Sequence, residues 1–430
     1  MNNSSPSSDP PYLTAALPGI GGKLKVREDD FLVEEIPAYE PTGEGEHIYL
    51  FVEKRNLSTL HVARMLADHF DVRRDAIGFA GLKDKFAVTR QMFSVHAPGK
   101  THADFPAFGH DRCTIHWADQ HANKLRRGHL LGNRFIIRVR DVEPSKAVLA
   151  HKTLAVLARA GVPNRIGEQR FGHMMNNHII GRALLRHDYQ GALDALLGPS
   201  TLRPDAQREG RKLYAEGKYR DAMFAFPPSL HAERRVLAAL GRGDKPKRAV
   251  YTIERTEQSF YITAFQSAVF NDVHDQRLRD GTLATLLEGD LAFKHESGAI
   301  FLVGAVELAD SALAARLASF EISPSGPMWG SRMMLPGGEL RDLEVAALER
   351  HGMTVQDLET FSAKARDPLS GERRALRVPI SHVDVEGGMD EHGNYVKCVF
   401  ELPRGSFATT VMREVMKPPA ANPVEAEVEE

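Results

Sequence analysis

The stretch IGFAGLKDKFAVTRQMFSVHA, residues 77–97, carries the pattern that decides the fold. Its two apolar arms are rich in β-branched and aromatic residues, which is typical of strands. A short polar loop at 81–85 separates the arms. Gly78 and Gly81 have no side chain, so they permit the close approach of another backbone or of a ligand. The pattern predicts a strand, a loop and a second strand.

The loop carries three charged residues in a row, Lys83, Asp84 and Lys85. A Lys-Asp-Lys turn between strands is most often a solvated hairpin. The glycines and the apolar arms favour a functional interpretation here. An aspartate between two lysines stays ionised at pH 7, as a nucleophile or a general base requires. Asp84 is therefore the first candidate for a catalytic residue.

Strand and helix patterns are intermixed along the rest of the chain. Strand patterns lie at 47–54, 134–140 and 396–402. Helical patterns lie at 58–70, 145–160, 259–280 and 339–350, and from 406 to the Pro418-Pro419 pair. Ser58 or Thr59, Ser145 and Ser406 are placed to cap helices. The mixture indicates the α+β class.

The composition is that of a globular protein. Of 430 residues, 42% are apolar and 26% are charged, and this length predicts two or three domains. The two cysteines, Cys113 and Cys398, lie far apart, which is the usage expected in a reducing cytoplasm. No apolar run approaches the ~18 residues of a membrane helix, and the first residues lack a signal-peptide pattern. We expect a soluble cytoplasmic protein.

Positive charge is concentrated in one stretch, although the net charge of the chain is −2. Residues 121–140 contain six Lys or Arg and no acid. Within it, Phe135, Ile137 and Val139 alternate with arginines, so a strand here places the two kinds of side chain on opposite faces. A basic stretch is most often a solvated face, and the alternative is a local RNA-binding groove along 124–140.

Standard cofactor and metal motifs do not occur in the sequence. The chain has no Walker-type phosphate loop, dinucleotide fingerprint, G-x-S-x-G elbow or HExxH. His110, Cys113 and His116 have the spacing of metal ligands, but no fourth ligand with paired spacing accompanies them. Neither a metal nor a small-molecule cofactor is expected.

The block FAGLKDKFAVTRQMFSV, residues 79–95, resembles the catalytic block of the TruD family of tRNA pseudouridine synthases. Five further blocks of the sequence resemble that family and occur in the same order as in the family. They are KLKVREDDFLVEE (23–35), RRGHLLGNRFIIRVR (126–140), GVPNRIGEQRFG (161–172), SFYITAFQSAVFNDV (259–273) and ELPRGSFATTVMREV (401–415). The resemblance therefore extends from about Lys23 to Lys417.

The resemblance implies an isomerase that detaches a uracil from its ribose, rotates it and rejoins it through carbon 5. It implies tRNA as the partner, position 13 as the target, and no cofactor. The catalytic aspartate of the family falls on Asp84. The Asn-x-Phe motif falls on Asn133 and Phe135, and Phe135 is expected to stack on the target base. Lys25 is expected to line the site, and Arg413 is the candidate for the basic residue that pairs with the catalytic aspartate.

The resemblance also implies a domain plan. A pseudouridine-synthase core, with a mixed, mainly antiparallel sheet flanked by helices, is expected from 19–160 and 375–417. An inserted α/β domain is expected at 161–374, closing over a cleft that holds RNA. Residues 1–18 and the acidic 418–430 are expected to be disordered tails. A monomer is expected.

The sequence departs from the family pattern in two places and is compatible with two other functions. Arg165 and Ile166 stand where the family usually has aromatics, and Phe86 stands where it commonly has His. The chain could instead be a non-catalytic RNA-binding module or chaperone on the same fold, or a hydrolase with Asp84 as general base. The intact Gly-Leu-Lys-Asp-Lys loop argues against the first, and the lack of a partner acid or metal ligand set argues against the second.

Overall fold

The computed structural model describes residues 10–199, 205–364 and 369–417. The chain divides into two compact units. Among the described residues, the sheet unit comprises 12–162 and 378–417, and the helical unit comprises those between Pro163 and Arg377 together with Pro10 and Pro11. The domain boundaries predicted after residues 160 and 374, with their assignment to a catalytic core and an insertion, stay a prediction.

The sheet unit is built on one mixed sheet of eight strands. Along the chain the strands are Phe31–Pro37, His47–Arg55, Ile77–Phe79, Val88–His96, Cys113–His121, Leu130–Arg140, Ser381–Asp390 and Gly393–Pro403. Across the sheet the order is Ser381–Asp390, Gly393–Pro403, Leu130–Arg140, Phe31–Pro37, Val88–His96, His47–Arg55 and Cys113–His121, with Ile77–Phe79 also paired to Val88–His96. Phe31–Pro37 and Val88–His96 pair in parallel, and the other pairs are antiparallel. The predicted mixed, mainly antiparallel sheet is confirmed.

Helices flank this sheet. The α-helices of the sheet unit are Thr59–His69, Ala147–Ala160 and Ala408–Met416, and its short 3-10 helices are Glu28–Asp30, Arg74–Ala76, His102–Asp104 and Pro144–Lys146. Ser58 caps the first α-helix as predicted, because its side chain accepts a hydrogen bond from the backbone of His61. Val62 and Leu66 on the inner face of this helix are fully buried.

Two other predicted caps are wrong. Ser145 lies inside the 3-10 turn Pro144–Lys146, so Lys146 becomes the residue that precedes the helix. Ser406 belongs to a turn in which its backbone N–H bonds to Pro403, and the last helix therefore starts after Phe407, which has no side-chain cap. In both cases a local turn displaces the serine from the helix start by one residue.

The buried face of the sheet carries the main core of this unit. Phe135, Ile137 and Val139 are buried there, as their alternation predicts. Helices Ala147–Ala160 and Ala408–Met416 cover them, with Leu154 and Val411 fully buried. Fully burying a side chain of this kind contributes about 1.5–3 kcal/mol, so this layer stabilises the strand that carries the basic stretch.

The segment 10–18 is not the disordered tail that its composition predicts. The buried Glu414 carboxylate accepts hydrogen bonds from the Leu13 and Thr14 N–H groups at 2.9 and 3.0 Å and from Thr14 Oγ1 at 2.6 Å. Lys417 Nζ donates to the backbone oxygens of Thr14 and Leu17. The bonding partners lie about 400 residues away in the chain, so the local composition could not reveal them. The predicted tails at 1–9 and 418–430 lie outside the described residues.

The helical unit has a smaller four-stranded sheet and many helices. Its α-helices include Asn177–Leu185, Tyr189–Leu197, Asp205–Ala215, Tyr219–Ala225, His231–Gly241, Pro246–Val250, Arg255–Arg279, Ala305–Ala309, Ser311–Ala318, Gly338–Arg350 and Val355–Lys364, with a 3-10 turn at Glu168–Phe171. The sheet order is Glu372–Ala375, Ile322–Met328, Leu291–Lys294, Ile300–Leu302. A two-stranded sheet pairs Val162–Pro163 with Arg377–Val378. Among the described residues, no helix is long and apolar enough to cross a membrane.

The candidate active site around Asp84

The loop that carries Asp84 is held by side chains from neighbouring elements. Thr59 Oγ1 accepts a hydrogen bond from the Lys83 backbone N–H at 3.0 Å. Lys54 Nζ donates to the backbone oxygen of Asp84 at 2.9 Å and to that of Leu57 at 2.7 Å. The Asp84 side chain itself is 47% exposed. The backbone is therefore anchored while the carboxylate stays accessible to a substrate.

Lys25 is the cation on this carboxylate. Its Nζ lies 2.7 Å from Asp84 Oδ2, and it also lies 4.3 Å from the centroid of the Phe31 ring. Lys25 has a φ of +54°, in the left-handed region that a non-glycine residue rarely adopts. Such strain is often found where a side chain must be held in one direction for function. The pair holds the carboxylate in one orientation.

Beneath the loop lies a second, buried ion pair. Lys83 Nζ is 2.8 Å from Glu35 Oε2, and the two side chains are 5% and 0% exposed. Lys83 Nζ also donates a hydrogen bond to Asn133 Oδ1 at 2.5 Å. Burial raises the pKa of Glu35, although Lys83 opposes the shift. The network ties Asn133 to the residue directly before Asp84.

Lys54 is a fully buried lysine whose amine points at the loop. Burial lowers the pKa of Lys54 to about 8, and the nearby Asp84 carboxylate acts in the opposite direction. Its ammonium places a positive charge close to Asp84 and fixes the loop backbone. Lys54 and Lys25 thus approach Asp84 from different sides, one at the backbone and one at the carboxylate.

Phe135 and Arg413 both lie against aromatic side chains. Phe135 is 6% exposed and packs against Phe31 and Phe400, with ring centroids 6.5 and 5.5 Å away. Its ring thus has no open face in this structure, and stacking on a base stays a prediction. The Arg413 guanidinium lies 3.7 Å from the centroid of the Tyr12 ring. In the structure Lys25 is the cation on the Asp84 carboxylate, and the role predicted for Arg413 stays a prediction.

The basic stretch 121–140 divides into an exposed part and a structural part. Arg126, Arg127 and Arg134 are exposed. Arg140 is 4% exposed and pairs with Asp30 and with Asp390, at 2.6 Å each. An RNA groove built on this stretch would therefore use its exposed members.

The two departures from the family pattern have different environments. Phe86, beside the loop, is 45% exposed. Arg165 Nε pairs with Asp275 at 3.1 Å, and the backbone of buried Ile166 exchanges two hydrogen bonds with the Asn271 side chain. Arg165 and Ile166 thus serve packing within the helical unit, whereas Phe86 leaves an aromatic surface next to Asp84.

Sequence analysis missed Glu35, Lys54 and the buried role of Lys83. A signal for two of them was present in the strand alternation. Glu35 falls on the same face of its strand as Phe31 and Val33, and Lys54 falls on the same face as Leu50 and Val52. A charged residue at an inward position of a strand needs a buried partner. Among the described residues, no group of three or more His, Cys, Asp or Glu could hold a metal ion.

Comparisons with known proteins identify the family of this chain. The family model of tRNA pseudouridine synthase D (TruD) matches residues 9–415. A relative named tRNA pseudouridine synthase D from Geobacter sulfurreducens is 43% identical over 413 residues, covering 96% of this chain and 98% of the relative. One from Thermus thermophilus is 37% identical over 418 residues, covering 97% and 95%.

A solved structure is also similar over nearly the whole length. A crystal structure assigned to tRNA pseudouridine synthase D of Methanosarcina mazei superposes with a TM-score of 0.80 at 26% identity, covering 95% of this chain and 96% of that one. Fold and motifs together define an RNA-modifying enzyme of the pseudouridine-synthase class. Within that class, the chain belongs to the TruD family.

Proposed function

We propose that this chain converts the uridine at position 13 of its tRNA substrate into pseudouridine, and that Asp84 starts the reaction. The observation that carries the proposal is the state of Asp84. Its carboxylate is 47% exposed and paired with Lys25, while Lys54 anchors its backbone. A group that must touch a sugar needs this combination of access and fixed orientation.

The reaction requires the target nucleotide to leave its stack, because the bond between base and sugar is not reachable inside a helix. Asp84 then acts at the junction of base and sugar as nucleophile or base. The N1–C1′ bond breaks, the uracil rotates, and a C5–C1′ bond forms. The proton on C5 is released to solvent, and N1 takes up a proton. Lys25 holds the carboxylate in one orientation, and Asn133, which accepts a hydrogen bond from Lys83, would contact the nucleotide.

We also propose how the enzyme attracts tRNA, where in the cell it works and in which oligomeric state. Exposed Arg126, Arg127 and Arg134 would attract the tRNA backbone locally, since the chain as a whole has a net charge of −2. Both cysteines are free and buried, which agrees with a reducing cytoplasm. The enzyme works as a monomer in this proposal. The mass of its complex with tRNA, measured by light scattering, would test the oligomeric state.

The test is tritium release from tRNA transcripts labelled at carbon 5 of uridine. The expected result is release of one tritium equivalent per tRNA from the modified position. A matched transcript with cytidine at position 13 should release none. Tritium release from that control transcript would show that the chain forms pseudouridine at a position other than 13. A chain that binds tRNA without any release would favour the non-catalytic RNA-binding alternative.

A further inference from the structure

Several arginines of the helical unit lie on phenylalanine rings, and two of them, Arg170 and Arg316, differ in their ion pairing. Arg170 Cζ lies 4.9 Å from the Phe260 ring centroid, and Arg316 Cζ lies 5.5 Å from that of Phe301. Arg316 also pairs with the Glu321 carboxylate at 2.7 Å. The Arg170 guanidinium has no carboxylate or carbonyl partner among residues 10–199, 205–364 and 369–417.

Arg170 is half-buried, and no residue in the described part of the chain provides a counter-ion for it. Its burial lowers the pKa of Arg170, and no described acid offsets this effect. A second cation, Arg374, lies near Arg170. The pKa of Arg374 is lowered to about 10, chiefly by burial; Glu372 opposes this shift, and the positive charge of Arg170 adds to it. Withdrawing a cation from water without pairing it costs free energy. An anion bound at Arg170 would recover that free energy.

Rigid elements hold both members of the pair. Arg170 lies in the 3-10 turn Glu168–Phe171, which the buried ring of Phe171 anchors. Phe260 lies in the first turns of helix Arg255–Arg279, and it is 38% exposed while the next residue, Tyr261, is buried. The guanidinium is thus preorganised, and such preorganisation reduces the entropy that a ligand must lose on binding.

We propose that Arg170 and Phe260 form a binding site for a backbone phosphate of the tRNA substrate and the nucleoside next to it. The inference rests on the proposed function for the identity of the RNA. A guanidinium presents a fork of N–H donors that matches two phosphate oxygens. The exposed part of the Phe260 ring offers an apolar surface to a sugar or a base.

The aromatic ring distinguishes RNA from a bare anion. Inorganic phosphate has only oxygens to offer, so it would use Arg170 and leave Phe260 exposed. A nucleotide satisfies the guanidinium and covers the ring at the same time. An exposed aromatic ring beside a cation that none of the described residues pairs therefore favours a nucleic-acid backbone over free phosphate.

The experiment measures the affinity of the full chain for a tRNA transcript by fluorescence anisotropy at several salt concentrations. Arg170→Gln should reduce the magnitude of the log–log salt slope by about 1 and the affinity by about tenfold near 0.1 M salt. Arg170→Lys should keep the slope and part of the affinity. Phe260→Leu should weaken binding with an unchanged slope, because it removes no charge. Arg316→Gln is the matched control and should change neither quantity.

Two outcomes would overturn the site. One is a wild-type slope and affinity in Arg170→Gln. The other is an equal loss in Arg316→Gln, which would mean that only bulk charge matters. A structural role of Arg170 would lower the melting temperature, whereas loss of an unpaired half-buried charge should leave the melting temperature unchanged or raise it.

Calorimetry with inorganic phosphate separates the two sources of the ligand. Binding of phosphate that Arg170→Gln abolishes, together with an unchanged tRNA slope, would reassign the site to a free anion. Every one of these measurements is independent of turnover. If the wild-type chain binds tRNA through Arg170 but forms no pseudouridine, the proposed function fails and this site stands.

Discussion

Two ion pairs of nearly equal length lie on adjacent residues of one loop and are buried to opposite degrees. Lys25 and Asp84 are 2.7 Å apart, and their side chains are 26% and 47% exposed. Lys83 and Glu35 are 2.8 Å apart, and their side chains are 5% and 0% exposed. The chain thus places a solvated carboxylate directly after a buried lysine.

The difference in burial gives the two pairs different roles. An exposed ion pair contributes only about 0–1 kcal/mol to stability, so Lys25 and Asp84 are not needed to hold the fold. Removing one partner of a buried pair costs about 3–5 kcal/mol, because a charge is left unpaired in the interior. The buried pair therefore fixes the loop, and the exposed pair is free to act on a substrate.

The largest expected effect is that of Asp84→Asn. The amide keeps the shape of the side chain and removes its charge, so tRNA binding should survive while tritium release falls below detection. Asp141→Asn is the matched control, because Asp141 is also an exposed aspartate paired with a lysine, Lys23, at 2.8 Å. The control should keep full release. If the Asp84→Asn variant releases as much tritium as wild type, Asp84 is not the catalytic residue.

Next in size is the effect of Glu35→Gln on the buried pair. The change leaves the Lys83 ammonium buried without its counter-charge, so the free energy of unfolding of the sheet unit should fall by about 3–5 kcal/mol. Urea unfolding followed by Trp117 fluorescence, in a Trp329→Phe background, would measure it.

The double variant Glu35→Leu with Lys83→Met sharpens this comparison. Stability should return, because no charge stays buried, whereas turnover should stay low because Asn133 loses its hydrogen bond from Lys83. Full turnover in the double variant would mean that the network only stabilises the fold.

Lys25→Met should show the reverse pattern. The free energy of unfolding should change by less than about 1 kcal/mol, because the pair is partly solvated. Turnover should fall about 10²-fold, since the carboxylate loses the group that orients it. The observable is tritium release at saturating tRNA compared with urea unfolding of the same variant. A large loss of stability with normal turnover would contradict the assignment of Lys25 to the site.

The smallest expected effect is the pH dependence that Lys54 adds. The pKa of Lys54 is lowered by burial from 10.5 to about 8 in the folded chain. Between these values the unfolded chain binds more protons than the folded chain, so the free energy of unfolding should rise with pH. Below pH 8 the burial penalty is fully present, and above pH 10.5 it is gone. Urea unfolding at several pH values gives the slope of the free energy of unfolding against pH. In this window the slope should be larger for wild type than for Lys54→Met, by at most about 1.4 kcal/mol per pH unit. Equal slopes would mean that Lys54 titrates normally.

Much of the sheet and part of the site follow from local patterns. The strand at Leu130–Arg140 was predictable because its apolar and basic residues alternate with a period of two, and helix Thr59–His69 because Ser58 and the apolar spacing mark it. Asp84 was identifiable from its loop and from the family motif. Phe135 shows the limit of this approach, since alternation predicted its face correctly but not how completely Phe31 and Phe400 enclose it.

The sequence by itself determined several of the strands and helices, the family, and the loop that carries Asp84, because these depend on residues close together in the chain. Only the tertiary structure decided which lysine meets which carboxylate. Lys25 reaches Asp84 across 59 positions, and Glu414 binds Thr14 across 400. The number of possible partners for a charge grows with the length of the chain, and only packing selects one. That is why the structure places Lys25 on Asp84 and Arg413 on Tyr12.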